Sequence, residues 1–205
     1  MNFSFNKNEN SLVRMRRNDW VRNKNQVSRT YLEMFTHATN NITILSSYFL
    51  PGTIFRKSLR RAIKRGVKVR VIIAGLSDIP VSKNAERFLY DWLLRNKIEI
   101  YEYNQKILHG KMATCDGEWL TIGSYNVNNI SAFASIELNL DIKNPIFTKQ
   151  VDETLQQITE SQCTLITHEH LARTTNLFKR IIRWSSYIVI RFMFYIFTFY
   201  YRRQK

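Results

Sequence analysis

Cysteine, glycine and proline are scarce in this chain, and acidic residues are outnumbered. Only two cysteines occur in 205 residues. Cys115 and Cys163 lie far apart and match no metal-ligand spacing, so a disulfide scaffold and a zinc ribbon are both poor readings. With six glycines and three prolines, the chain shows no internal repeat and no low-complexity segment. Asp and Glu number 16 against 31 Lys and Arg, a net charge of +15. That excess says little about fold, but it points to an anionic partner, either nucleic acid or a membrane surface rich in acidic lipid. Residues 1–10 are polar, and no apolar run follows Arg14, Arg16 and Arg17. No signal peptide is expected, and the body is expected on the cytoplasmic side. Apolar residues still make up 44%, enough for one ordinary domain with a buried core.

The acids are missing most completely from residues 171–205, which hold eight Lys or Arg and no Asp or Glu. That tail is also the most aromatic part of the chain. A nucleic-acid arm is usually basic and polar, so a basic aromatic tail reads better as membrane-associated.

Periodicity divides the rest. Residues 1–26 read as a polar, basic, poorly ordered lead-in, with a short strand near Leu12–Met15. Residues 27–165 read as the domain proper. Helical spacing over 27–40 is followed by a strand at 42–48 and a turn at Pro51-Gly52. Over 53–65, Phe55, Leu59, Ala62 and Ile63 form one helical stripe, and Arg56, Lys57, Arg60, Arg61, Lys64 and Arg65 take the opposite side. Residues 67–74 are a β-branched run and hence a buried strand. A helix over 84–96 and a strand over 98–103 complete the alternation. This order predicts an α/β layered domain with a mixed, largely parallel sheet. Lys111–Cys115, Asp116-Gly117 and Trp119–Ile122 read as a hairpin. A strand at 137–142 and a helix from 147 to about 162 close the domain.

Chemistry concentrates between Leu108 and Glu137. Residues two apart on a strand share a face, so His109 and Lys111 should project together. The ammonium would draw an anion to the spot, and an unprotonated imidazole beside a bound phosphate is a nucleophile. Ser124 and Asn126, after Gly123, also lie two apart and can serve one ligand. Glu137 is a carboxylate in an otherwise apolar strand, placed to hold the second ring nitrogen of a histidine. Singly, each of these is more often a structural or solvated residue. Their convergence within thirty residues is what carries weight.

His109-x-Lys111, separated by four residues from Asp116 and followed by Gly123-Ser124-x-Asn126, resembles the phospholipase D superfamily and its HKD motif. Tyr48-Phe-Leu-Pro-Gly, Arg61-Ala-Ile-Lys-Arg-Gly-Val-Lys-Val-Arg-Val-Ile-Ile, Ile100-Tyr-Glu-Tyr and Ser135-Ile-Glu-Leu-Asn resemble the second half of bacterial cardiolipin synthases. The resemblance spans about residues 19–143. It implies a phospholipase D-like α/β/α domain and a phosphatidyltransferase that passes through a phosphohistidine. His109 would then be the nucleophile or its acid–base partner. Lys111, Ser124 and Asn126 would bind phosphoryl oxygens, and Glu137 would orient His109. Asp116, grouped with the catalytic motif, would hold a turn rather than touch substrate. No metal or other cofactor is implied. The chain carries one such motif where those synthases carry two. The remaining histidines, His37, His168 and His170, begin no second one, and His168-Glu-His170 reads as a polar linker. A homodimer or a second HKD-containing chain is therefore implied as partner, beside the anionic phospholipid and membrane surface. Two alternatives stand: a single-motif dimeric phosphodiesterase or nuclease, with nucleic acid as partner, or an inactive half of a split synthase.

Residues 184–201 form an 18-residue segment whose single charge is Arg191. An arginine at mid-span costs about 2.5–3.5 kcal/mol on insertion scales, and basic residues flank both ends. A hydrophobic, basic C-terminal helix lying on the cytoplasmic face of a membrane is the expectation. Packing on the domain or on a partner is the alternative.

Overall fold

The computed structural model describes residues 10–203, with side chains through 196. The chain opens with β1 (Leu12–Asp19) and β2 (Lys24–Asn25), followed by α1 (Gln26–His37), β3 (Asn41–Ser46), α2 (Thr53–Lys64) and β4 (Lys68–Ala74). It continues through α3 (Pro80–Phe88), α4 (Tyr90–Arg95), β5 (Glu99–Tyr103), β6 (Lys111–Cys115) and β7 (Trp119–Gly123). Then come α5 (Asn129–Phe133), β8 (Ile136–Lys143), α6 (Pro145–Gln162), β9 (Cys163–Ile166), α7 (His168–Thr174) and α8 (Leu177–Arg203). One sheet takes the order β2-β1-β8-β7-β6-β3-β4-β5-β9.

The apolar runs of β3 and β4 are buried on both faces, as strands under crossover helices must be. On one face Ile44, Val71 and Ile100 meet Tyr31 and Phe35 of α1 and Phe55 and Leu59 of α2. On the other, Leu45 and Ile72 meet Leu155 of α6. Helix α2 buries Phe55, Leu59 and Ala62 at helical spacing and turns its basic residues outward, as the sequence pattern predicts. Burying Leu59 contributes about 1.5–3 kcal/mol.

Five expectations need correction. The sheet is mixed, but only β3–β4 and β4–β5 pair in parallel, and the other six neighbouring pairs are antiparallel. Crossover helices end after β5, and β6, β7 and β8 are joined without them. The lead-in is not a loose segment over its described part. β1 pairs with β8 along eight residues, from Leu12↔Lys143 to Asp19↔Ile136. Asn18 is buried there, its side chain accepting from Val27 N (2.9 Å) and donating to Ser28 Oγ (2.9 Å) and Ser131 O (3.1 Å). Buried polar groups need such partners, and residue 18 supplies them only once three distant elements converge.

The helix expected over 84–96 is two helices. α3 starts earlier, with Pro80 in its first turn, and the chain tightens where Leu89 N bonds Glu86 O at 2.9 Å. The helix expected to close the domain near 162 is followed by the edge strand β9, antiparallel to β5, and His168-Glu-His170, read as a polar linker, opens α7. Finally, α8 does not stand apart. Tyr187 stacks on Phe88 of α3 with ring centroids 4.7 Å apart. Tyr187 and Ile190 cover Leu50, Ala85 and Leu89. The tail thus packs on the domain while leaving Phe178, Ile181, Ile182, Ile188, Val189 and Phe192 exposed. Among the described residues no helix is long and apolar enough to cross a membrane.

Candidate active site

The sheet register gathers the polar residues at one edge. Ser46, the last residue of β3, pairs with Lys111, the first of β6. Gly123, the last of β7, pairs with Asn139 of β8, two residues past Glu137. The C-terminal end of β3, the N-terminal ends of β6 and β8 and the exit from β7 therefore share one rim. Irregular chain at the ends of strands is where α/β sheets place ligands.

Lys111 is 7% exposed. Its Nζ donates to His109 O at 2.9 Å and to Ser47 Oγ at 3.2 Å. An ammonium has three N–H donors, so one remains for a ligand. Burial pulls the ammonium below its ordinary pKa, and the Glu137 carboxylate opposes that pull. A charge held under such conditions gains strongly from an arriving anion. His109 lies just before β6 and is exposed. No described residue hydrogen-bonds its ring.

Glu137 is 8% exposed. It accepts from the Ser124 hydroxyl and from Ser135 Oγ at 2.8 Å. Ser124 Oγ in turn accepts from Leu138 N at 3.0 Å. Gly123 permits this approach, because a Cβ there would come within 2.1 Å of Leu138 O. Asn126 Oδ1 accepts from Tyr48 N at 3.3 Å, which anchors the loop after β3. The Tyr48 hydroxyl is bonded to Asp78 and pushed up to about 12, by burial first and then by that carboxylate.

Asp116 stands at the other end of β6, five residues from Lys111 and so about 16 Å away along an extended strand. Its carboxylate accepts from Thr39 N, Asn40 N and Asn41 N, each at 2.8 Å, and from Thr39 Oγ1 at 3.0 Å. Burial works to raise its pKa, but the backbone amides outweigh burial and hold it below the usual carboxylate range. Asp116 (φ 54°) and Gly117 (φ 67°) form the left-handed turn of the β6–β7 hairpin.

Lys111, Ser124, Asn126 and Glu137 thus come together with His109 at the rim, and Asp116 does not. Its place in the catalytic group is corrected to a structural one, for a strand cannot bring its two ends to one point. The expectation that Glu137 holds His109 is corrected as well, since its partners are Ser124 and Ser135. Ser47 was missed. The signal for it was Ser46-Ser47, a polar pair ending a buried apolar strand. Among the described residues no three His, Cys, Asp or Glu side chains gather as a metal site needs.

An apolar strip starts at the same rim. Ile136, Leu138 (48% exposed) and Leu140 of β8 are exposed, as are Ile122 of β7 and Val13 and Met15 (68%) of β1. Their alternation puts them on the sheet face opposite α1, beyond the reach of α6.

This fold recurs in solved proteins. The phospholipase D family member Nuc from Salmonella typhimurium superposes with a TM-score of 0.62 at 18% identity, covering 77% of this chain and 99% of that one. Phosphatidylserine synthase from Haemophilus influenzae gives 0.68 at 11% identity, covering 89% of this chain and 46% of that one. The class is phospholipase D-like. Within it, the sequence profile described as "Cardiolipin synthase, PLD-like domain" matches residues 31–159, and the chain belongs to that family. Cardiolipin synthase B from Salmonella typhi is 34% identical over 161 residues, covering 78% of this chain. The chain spans 39% of the length of that relative.

Proposed function

We propose that this chain is one half of a cardiolipin synthase-type phosphatidyltransferase, with a second HKD motif supplied by another chain. The observation that carries this is the rim where exposed His109 stands beside the buried, partly satisfied ammonium of Lys111, with Ser124 and Asn126 opposite. In the proposed reaction His109 attacks the phosphorus of a phosphatidylglycerol. The P–N bond forms as the P–O bond to the leaving glycerol breaks, and a histidine of the second motif protonates that oxygen. The hydroxyl of a second phosphatidylglycerol, deprotonated by the same histidine, then displaces His109. Lys111 and the Asn126 amide bear the charge on the phosphoryl oxygens, and Ser124 joins them by turning its hydroxyl from Glu137 to the ligand. Glu137 holds Ser124 in place and favours the charged form of Lys111.

The second half, a copy of this chain or another HKD chain, would cover the strip from Ile136 to Leu140 that begins at the rim. The exposed face of α8 would bring the assembly to the lipid from the cytoplasmic side. The α8 side chains beyond residue 196, those of Phe197 and Phe199 among them, lie outside the described ones.

The test is turnover. The chain is incubated with phosphatidylglycerol vesicles, alone and with a chain bearing a second H-x-K-x4-D motif. Cardiolipin and free glycerol should appear in equal amounts from whichever combination assembles, and sedimentation should show two motifs per active particle. Product from a strict monomer would refute the shared site. Cleavage of nucleic acid without lipid transfer would establish the phosphodiesterase reading instead. Silence in every combination, beside an active two-motif synthase, would mark an inactive half.

A further inference from the structure

Three successive amides after β3 are donated to two different neighbours. Tyr48 N goes to Asn126 Oδ1 at 3.3 Å and Leu50 N to Val127 O at 2.9 Å, both on the chain that leaves β7. Phe49 N, between them, goes to Glu86 Oε2 of α3 at 3.1 Å. Phe49 is fully buried, so its N–H needs a partner within the protein, and the 2% exposed Glu86 carboxylate is that partner.

The carboxylate is itself fixed from behind. Glu86 Oε1 accepts from Lys83 Nζ at 2.9 Å. The same ammonium bonds Ala74 O, at the end of β4, and the Tyr90 hydroxyl at 2.9 Å. Tyr90 and Arg87 both bond Glu102 of β5. A buried network tied to β4 and β5 thus ends on one amide of the loop.

That loop carries parts of the rim. Ser47 Oγ takes one N–H of Lys111 at 3.2 Å. Tyr48 N occupies the Asn126 carbonyl oxygen, and no described residue accepts from Asn126 Nδ2. A side-chain amide has one acceptor oxygen and two N–H donors, and only the donors can serve a phosphoryl oxygen. The bond from Tyr48 N selects the orientation that leaves them free.

We propose that Glu86 is a positioning residue for the phosphate-binding rim. Through Phe49 N it holds residues 47–50 so that Ser47 meets Lys111 and Asn126 presents its NH₂ to the ligand. Its own hydrogen bonds reach no rim side chain. The proposal rests on the reading of the rim as the phosphate site.

Two double variants of the full chain test it, Lys83→Met with Glu86→Gln and Lys83→Met with Glu86→Leu. Both replace the buried ion pair by neutral side chains of similar volume, a change that folded proteins tolerate. Only the first keeps an acceptor oxygen for Phe49 N. Thermal melts establish that both fold. Each is ¹⁵N-labelled, and the Asn126 side-chain amide resonance, assigned through its loss in Asn126→Asp, is followed before and during titration with inorganic phosphate. The Gln pair should keep the parental resonance and affinity. The Leu pair should shift the resonance and bind phosphate roughly tenfold more weakly, as loss of one well-placed hydrogen bond does. A Leu pair that matches the parent in both respects would overturn the proposal, and so would a Gln pair that loses as much as the Leu pair. Phosphate binding that is absent from the parent, or kept by Lys111→Met, would overturn the rim as the phosphate site. The Asn126 resonance, read without ligand, would still decide whether Glu86 sets the loop.

Discussion

The two ends of β6 carry the same eight-residue motif and are finished differently. At Asp116 every hydrogen bond is spent. Four donors saturate one carboxylate, and the negative charge is stabilised by backbone amides that have no other use. At Lys111 the bonding is incomplete, with one N–H left over and an unbonded imidazole beside it. A saturated end lowers the energy of the fold. An unsaturated end keeps free energy in reserve for a ligand. Substitutions at the two ends should therefore separate stability from activity.

The largest effect is expected at His109. His109→Ala should lower phosphatidyl transfer about 10⁴-fold or more, as loss of a nucleophile does. Its melting curve should change by less than about 0.5 kcal/mol, since the side chain is exposed. Transfer at parental rate would remove His109 from the chemistry. Lys111→Met comes next, with transfer falling about 10²–10³-fold through lost charge stabilisation. Stability should stay within about 1 kcal/mol of the parent or rise, because a buried ammonium is replaced by a chain of similar shape. A large destabilisation by denaturant titration would show that this end, too, is structural.

Asp116→Asn should do the reverse. Asn keeps the left-handed turn but turns an NH₂ toward amide donors, a loss of about 1–2 kcal/mol with near-parental transfer. The pH dependence follows from the depressed carboxyl pKa. The stabilisation from Asp116 is fully present above the unfolded-state value of 3.8 and is lost as pH falls through the lower folded value. The acid limb of the parent's stability curve should thus be steeper than that of Asp116→Asn. Superimposable limbs would discount the clamp. The smallest effect is expected at Ser135→Ala. It removes one of two hydroxyls on Glu137 and should cost about 0.5–1.5 kcal/mol, with a several-fold loss of transfer as Ser124 shifts. Unchanged kinetics would leave Ser124 alone in orienting the carboxylate.

Much of this was readable along the chain. The helical stripe of α2, the β-branched run of β4 and the Asp116-Gly117 hairpin depend on neighbours in sequence, so periodicity and turn chemistry reveal them. The cluster from His109 to Glu137 was legible because a hairpin and one further strand bring it together locally. Ser47 was not, since it meets Lys111 only through the β3–β6 pairing across more than sixty residues. Nor was the role of Leu12–Asp19. Its alternation is weak and its charges suggest solvent, yet Arg14 and Arg16 both pair with Asp141 across the sheet, at 3.0 and 3.2 Å.

The sequence by itself determined the local elements, the basic excess and the motif that places the chain in its family. Each of these rests on side-chain type and spacing over a few residues. The tertiary structure alone decided that Ser47 meets Lys111, that β1 completes the sheet and that α8 packs on α3 through Tyr187. Those outcomes depend on strand register and on burial between segments far apart in the chain, and neither is encoded in any one stretch of it.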